Sequence, residues 1–250
     1  MTPDNIQFRT GVIQPVECLK EGWALIKDQY WLFLGIVFVG IFVGGAVPLV
    51  LIGPMMVGIY LCFFRRMRGE PVDFETLFKG FDHFAQSLIA VLIQMIPMVV
   101  ITVPACIIMF ALMITSMPRG GGRMDPDASF RFVFAIIGFE LVFVVVILVV
   151  GIAANIFFMF SLPLIADRGL SGLEAIKLSI KAGKANFGGI LGLILVNVAI
   201  GMLGLLACYV GMFFIMPISL ASYAVAYRRV FPALSQNFPS PPPPPGNWAA

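Results

Sequence analysis

Four apolar runs, residues 31–64, 84–116, 130–166 and 187–227, constrain this chain more than any other feature. Each is longer than the ~20 apolar residues that carry a helix across a bilayer. A transmembrane barrel would instead show alternating segments of about ten residues, and these runs do not alternate. The chain is 60% hydrophobic and only 12% charged, whereas soluble domains carry about 25% charge. The expected fold class is all-α, a polytopic transmembrane bundle.

Run length sets the number of crossings. The first run has 34 residues. As one helix it would measure about 51 Å, against a hydrocarbon core of ~30 Å. The stretch "GGAVP" from Gly44 to Pro48 offers a turn, which predicts two short spans at about 31–45 and 48–66. The last run, residues 187–227, divides likewise, with its turn expected between Gly204 and Gly211. Each central run suits one long or tilted helix, kinked at Pro97, Pro104 and Pro163. Six spans result. With both termini inside, thirteen Lys and Arg residues lie on the cytoplasmic side and three (Arg119, Arg123 and Arg131) outside, the asymmetry that the positive-inside rule requires. The N-terminal stretch lacks the apolar core and small-residue cleavage site of a signal peptide, so the first run is expected to act as the insertion signal.

Between the runs lies a basic, half-apolar stretch, "DRGLSGLEAIKLSIKAGKANF" (residues 167–187), and it has two relatives: "QPVECLKEGWALIKDQY" and "VDFETLFKGFDHFAQSL". In each, a glutamate is followed five residues later by a small residue: Glu17 and Gly22, Glu75 and Gly80, Glu174 and Ser179. Each opens on a helix-start signal. Pro15 suits the first helical position, Asp73 can N-cap, and Ser171 with Glu174 forms a capping box. Each carries an apolar stripe at helical spacing: Leu19, Trp23, Ile26 and Tyr30; Phe74, Leu77, Phe81 and Leu88; Leu173, Ile176, Ile180 and Phe187. Lys177, Lys181 and Lys184 flank the third stripe and can snorkel to headgroups. Such helices are expected to lie in the interface plane, or to cap the cytoplasmic end of the bundle.

The hairpin ends also repeat. "PMMVGIYLCFFRR" (Pro54 to Arg66) and "PISLASYAVAYRR" (Pro217 to Arg229) share Pro, Tyr at the seventh place and a closing Arg pair, and "PLIADRG" at Pro163 resembles a shortened third copy. The expected architecture is three repeats of amphipathic helix plus transmembrane hairpin, residues 14–70, 72–168 and 169–231, all entering from one side. Residues 1–13 form a cytoplasmic N-terminal segment, and 232–250 a Pro-rich cytoplasmic tail. Lys177, Lys181, Lys184, Arg65, Arg66, Arg228 and Arg229 are the candidates for contact with an anionic inner leaflet, each worth roughly 1 kcal/mol there. Two GxxxG pairs, Gly40/Gly44 and Gly188/Gly192, predict close helix packing.

Chemistry is sparse. His83 is the single histidine, and the four cysteines, Cys18, Cys62, Cys106 and Cys208, are scattered. No zinc site, disulfide framework, P-loop, GxSxG or HExxH pattern arises. No catalytic residue, metal or cofactor is expected, and a net charge of +3 does not suggest nucleic acid. Inside the bilayer, Glu140 is a functional candidate by default, or an outer-interface partner of Arg131 or Arg123. Gln94, Asn155 and Asn197 are candidate interhelical hydrogen bonders. The proline run of the tail favours a stiff polyproline II spacer that can serve as a partner-binding peptide.

The stretch "SLPLIADRGLSGLEAIKLSIKAGKANF", a Gly-rich hairpin, "YRRVF" and the earlier "RGEPVDFETLFKGF" resemble a broad group of uncharacterised bacterial six-helix integral membrane proteins. That group is similar to the membrane domain beside some glycerophosphoryl diester phosphodiesterases. The likeness spans residues 14–231 and rests on Pro163, Asp167, Gly169, Glu174, Ala175 and Ser179. It implies a helical module in the bacterial inner membrane with no catalytic residues, because the phosphodiesterase chemistry belongs to a soluble domain absent from this sequence. The expected function is a non-enzymatic scaffold, assembly partner or membrane-organising module. The alternative is a transporter or channel for a small or lipidic solute, which would need a polar cavity around Glu140, Asn155 and Asn197.

Overall fold

The computed structural model describes residues 6–116, 126–206 and 210–233, and within them side chains other than those of 116, 126–129, 131 and 132. All regular structure in these residues is helical: α1 (Pro15–Ile26), α2 (Tyr30–Ala46), α3 (Ile52–Met67), α4 (Phe74–Phe78), α5 (Phe84–Ser116), α6 (Pro126–Phe158), α7 (Ser161–Arg168), α8 (Gly172–Ala185), α9 (Phe187–Leu206) and α10 (Val210–Val230). Short 3₁₀ turns, Lys27–Gln29 and Lys79–His83, carry α1 into α2 and α4 into α5.

Five helical stretches are long and apolar enough to cross a membrane: Pro15–Ala46, Phe74–Thr115, Val133–Arg168, Phe187–Leu206 and Val210–Val230. The sequence predicted six. The difference is α3, whose 16 residues rise about 24 Å and fall short of the usual ~20-residue span. It is nevertheless the most enclosed helix, with Met55, Val57, Ile59, Cys62 and Phe63 fully buried.

Proline and glycine act differently from their simplest reading. Gly44 and Gly45 remain helical, and the first turn falls at residues 47–51. Pro48 cannot donate the hydrogen bond that would continue α2, and Leu49 takes the positive φ of 72°. Gly44 serves packing instead: a Cβ there would meet Ile52 and Met55, and one at Gly40 would stand 2.8 Å from the Ile59 side chain. In the second GxxxG pair, Gly192 faces the Pro15 ring while Gly188 faces open space, and Gly189 makes the tight approach, to Ile13. The long central run breaks at Met159–Phe160, four residues before Pro163, where its ring clashes and its missing N–H leaves a carbonyl free. α9 ends at Leu206 and α10 begins at Val210; the expected turn at 207–209, like residues 117–125 and 234–250, lies outside the described residues.

The amphipathic helices start where the sequence placed them. Pro15 opens α1, and Asp73 caps α4 by accepting from the Thr76 N–H at 2.9 Å and its hydroxyl at 2.6 Å. Ser171 and Glu174 form the reciprocal capping box of α8. The small residue that follows each glutamate by five positions lies in every case against another helix. Gly22 meets the backbone of Ala221 and Ser222 in α10, with a Cβ–N distance of 2.8 Å for any added side chain. Gly80 lies against the Pro54 carbonyl and Gly58 of α3. The Ser179 hydroxyl donates to the Phe157 carbonyl at 2.7 Å and accepts from the Phe160 N–H at 3.2 Å, sealing the break between α6 and α7.

These contacts orient the helices. α1 follows α10 in the opposite direction: Arg229 reaches the Val12 carbonyl and Glu21, Gly22 meets Ser222, and the Tyr30 hydroxyl donates to the Phe214 carbonyl at 2.7 Å. It is therefore paired along α10, not laid across it as expected of an interfacial rod. α8 does lie across a hairpin. Its Gly172 end abuts Gln86 and Ile89 of α5, and its Gly183 end abuts Ile156 of α6.

Candidate functional site

Two layers of polar groups stand out, the first at the ends where α3, α7 and α10 converge. The first is a buried ion cluster. The Asp167 carboxylate at the end of α7 accepts two hydrogen bonds from Arg228 (2.6 and 2.9 Å), one from the Tyr227 hydroxyl (2.8 Å) and one from Arg168 (2.9 Å). The side chains of Arg168, Asp167 and Arg228 are only 5%, 11% and 16% exposed. Paired Arg–carboxylate geometry of this kind is strong and directional. The Arg228 guanidinium also lies 4.4 Å from the centre of the Phe64 ring on α3, a desolvated cation–π contact. Arg168 further donates to the Pro232 carbonyl at 2.6 Å. Two arginines around one carboxylate therefore fasten the ends of α3, α7 and α10 together.

The remaining predicted arginines are also tied to protein. Arg65 donates to the Thr76 hydroxyl at 2.8 Å and stands 3.8 Å from Glu70. Arg66 donates to the Leu25 carbonyl at 3.1 Å and to Asp28 at 3.2 Å. Arg229 pairs with Glu21 at 2.7 Å. Each clamps α1 or α4 onto the bundle. Lys177, Lys181 and Lys184 differ: all three are exposed on one face of α8, and among the described residues none enters an ion pair. Leu173 and Phe187 are exposed beside them, while Ala175, Leu178, Ser179 and Ala182 form the buried face. The apolar stripe read from the sequence is thus divided: Ile176 is buried and Ile180 packs on the core, while Leu173 and Phe187 face outward.

Three carboxylates outside the spans, Glu70, Asp73 and Glu174, are held below the usual carboxylate range. The Arg68 guanidinium lowers Glu70, the Thr76 hydroxyl and N–H lower Asp73, and the Ser171 hydroxyl and N–H lower Glu174.

The second layer is a cavity of about 360 Å³ between α3, α5, α6 and α10, lined by Tyr60, Gln94, Asn155 and Tyr223 among apolar side chains. Tyr60 and Tyr223 each precede a closing Arg pair by five residues, about 7.5 Å along a helix. Gln94 donates to Ser161 at 2.6 Å, and Ser161 donates to the Phe158 carbonyl. Asn197 lies elsewhere, between the Leu193 carbonyl (2.9 Å) and the Ser222 hydroxyl (3.2 Å). Glu140 lines a separate groove of about 410 Å³ with Cys106 and Phe143. Its expected partners Arg123 and Arg131 lie outside the described side chains. The structure therefore brings Gln94 and Asn155 together and leaves Asn197 and Glu140 apart.

Asp167, Arg168 and Tyr227 were not read as a polar site from the sequence, although Asp167 stood in the motif behind the family resemblance. The available signal was "ADR" at one hairpin end and "YRR" at another. Cys18 and Cys62 are buried, whereas Cys106 is exposed on the groove. His83 is partly buried, and among the described residues no cluster of His, Cys, Asp or Glu has the makings of a metal site. Compared with protein families, curated proteins and solved structures, the chain matches none.

Proposed function

We propose that the chain is a non-enzymatic, multi-pass inner-membrane module with both termini inside. In this reading it organises or scaffolds the anionic cytoplasmic leaflet. Its six helical passes would comprise α2, α3, α5, α6, α9 and α10, arranged as three repeats, each an amphipathic segment followed by a hairpin. The five long apolar stretches support the membrane location. The equivalent seats of Gly22, Gly80 and Ser179 against α10, α3 and α6 support the repeat. The resemblance to six-helix bacterial membrane proteins is consistent with this architecture.

The observation that carries the functional reading is the outer face of α8. It presents three unpaired lysines between exposed Leu173 and Phe187, on a helix laid across α5 and α6. Cations interleaved with apolar side chains match an anionic lipid surface. The test is replacement of Lys177, Lys181 and Lys184 by Gln. The variant should retain fewer dioleoylphosphatidylglycerol molecules in native mass spectrometry, and should lose the rise in unfolding temperature that this lipid produces in the parent. Equal retention and an equal rise would refute it. Residues 232–250 would offer the scaffold a protein partner, tested by affinity purification with and without them.

A second reading, a transporter or channel for a small or lipidic solute, is favoured by the polar cavity at Tyr60, Gln94, Asn155 and Tyr223. Its test is solute flux in proteoliposomes, abolished by substitutions that fill the cavity.

A further inference from the structure

The cavity between the hairpins contains hydrogen-bonding groups that the protein does not use. Among the described residues, the Tyr60 and Tyr223 hydroxyls and the Asn155 amide make no side-chain hydrogen bond, and Gln94 engages only Ser161. Among the described residues every fully enclosed side-chain nitrogen or oxygen has a partner; these hydroxyls and amides instead open onto the cavity. Of the four only the Tyr60 side chain is buried, and a polar group among apolar helices is costly to leave unpaired.

Among the described residues no charge lines the cavity. The nearest arginines of the closing pairs are occupied: Arg65 by Thr76, and Arg228 by Asp167 and the Phe64 ring. An ionic headgroup would find no counter-charge here. Two phenolic hydroxyls and two amides, by contrast, supply several donors to neutral oxygen acceptors.

The cavity also has a continuation. Gln94 and Met98 on α5 and Gly151 and Asn155 on α6 border it. Farther along the same two helices, Cys106, Met109 and Met113 face Ile136, Phe139 and Phe143 across a mainly apolar groove that Glu140 also lines. On α5 the spacing from Gln94 and Met98 to Met109 and Met113 keeps all four on one helical face. On α6 the same holds for Ile136, Phe143, Gly151 and Asn155 within about a quarter turn to either side. Head cavity and groove are thus successive sections of one α5–α6 seam. At Gly151 the two helices approach closely, since a Cβ there would stand 3.2 Å from the Met98 methyl.

We propose that this seam binds an uncharged amphiphile: a head with two or more oxygen acceptors under Tyr60, Tyr223, Gln94 and Asn155, and an apolar tail along the groove. At about 360 Å³ the cavity lies at the small end of ligand sites, so only the head enters it. A diacylglycerol ester end and a quinone ring share this chemistry. The site goes beyond either reading of function, because binding is measurable with or without movement across a bilayer and with or without the α8 lysines.

The test is titration of detergent-purified full-length chain with dioleoylglycerol and with decylubiquinone, followed by native mass spectrometry, with dioleoylphosphatidylglycerol as the charged control. At least one neutral probe should bind, and which of the two binds identifies the source. The Tyr60→Phe/Tyr223→Phe variant should lose tenfold or more in affinity for that probe. Asn155→Leu, at an exposed position, provides the same readout should the double variant fail to fold. Binding of neither neutral probe would overturn the proposal. So would unchanged affinity in the folded variants, or equal affinity for the charged control with the same dependence on the tyrosines.

Discussion

Asp167→Asn tests the cluster that closes the bundle. The carboxylate accepts four hydrogen bonds from three side chains, and its two arginine partners are 5% and 16% exposed. Asn keeps one acceptor oxygen but removes the charge, leaving two buried guanidinium groups without a counter-ion. Breaking a buried pair from one side costs ~3–5 kcal/mol. The lower end applies here, because Arg228 retains the Phe64 ring and Arg168 retains the Pro232 carbonyl. About 3 kcal/mol corresponds to a fall of roughly 6–12 °C in unfolding temperature for a chain of this size. The assay is thermal unfolding in a fixed detergent, followed by intrinsic fluorescence. A double-mutant cycle with Arg228→Met should show coupling of at least ~1 kcal/mol, as residues in one network do. Tyr227→Phe, which removes one bond of the four, should cost less than Asp167→Asn. An Asp167→Asn protein that melts within about 1 °C of the parent, or a cycle without coupling, would show that the hairpin ends are held by packing alone.

Ser179→Ala should free the Phe157 carbonyl and the Phe160 N–H at the helix break, at a cost of about 1–3 kcal/mol. Hydrogen exchange should then accelerate around residues 157–164 and not in α9. Gly58→Leu should prevent a stable fold, because a Cβ at Gly58 falls on the Leu77 carbonyl; a monodisperse variant with the parent's unfolding temperature would contradict the packing of α4 on α3. The lowered Asp73 and Glu174 carboxylates contribute stability that is fully present above the usual carboxylate range and is lost as pH falls through their depressed values. Asp73→Asn and Glu174→Gln should therefore flatten the loss of stability below about pH 4, measured by acid titration of the unfolding temperature. Arg66→Ala, which releases the Leu25 carbonyl and Asp28, should make the α1–α2 junction protease-sensitive before the rest of the chain.

The sequence by itself determined the local elements. Hydropathy placed the long apolar helices, because a backbone in hydrocarbon has few ways to satisfy its own hydrogen bonds. Pro15, Asp73 and Ser171 with Glu174 marked three helix starts, because a cap needs only its own next turn. The three-way echo of Gly22, Gly80 and Ser179 was legible for the same reason: each must be small for a helix to approach. Tertiary structure alone decided which helix approaches, and that choice assigned the charges. Arg66, Arg228 and Arg229 read equally well as lipid anchors until α1 and Asp167 are brought beside them. Gln94 and Asn155 lie 61 positions apart in the chain, and Tyr60 and Tyr223 come from α3 and α10. Their meeting in one cavity follows from how α3, α5, α6 and α10 pack, which no local pattern encodes.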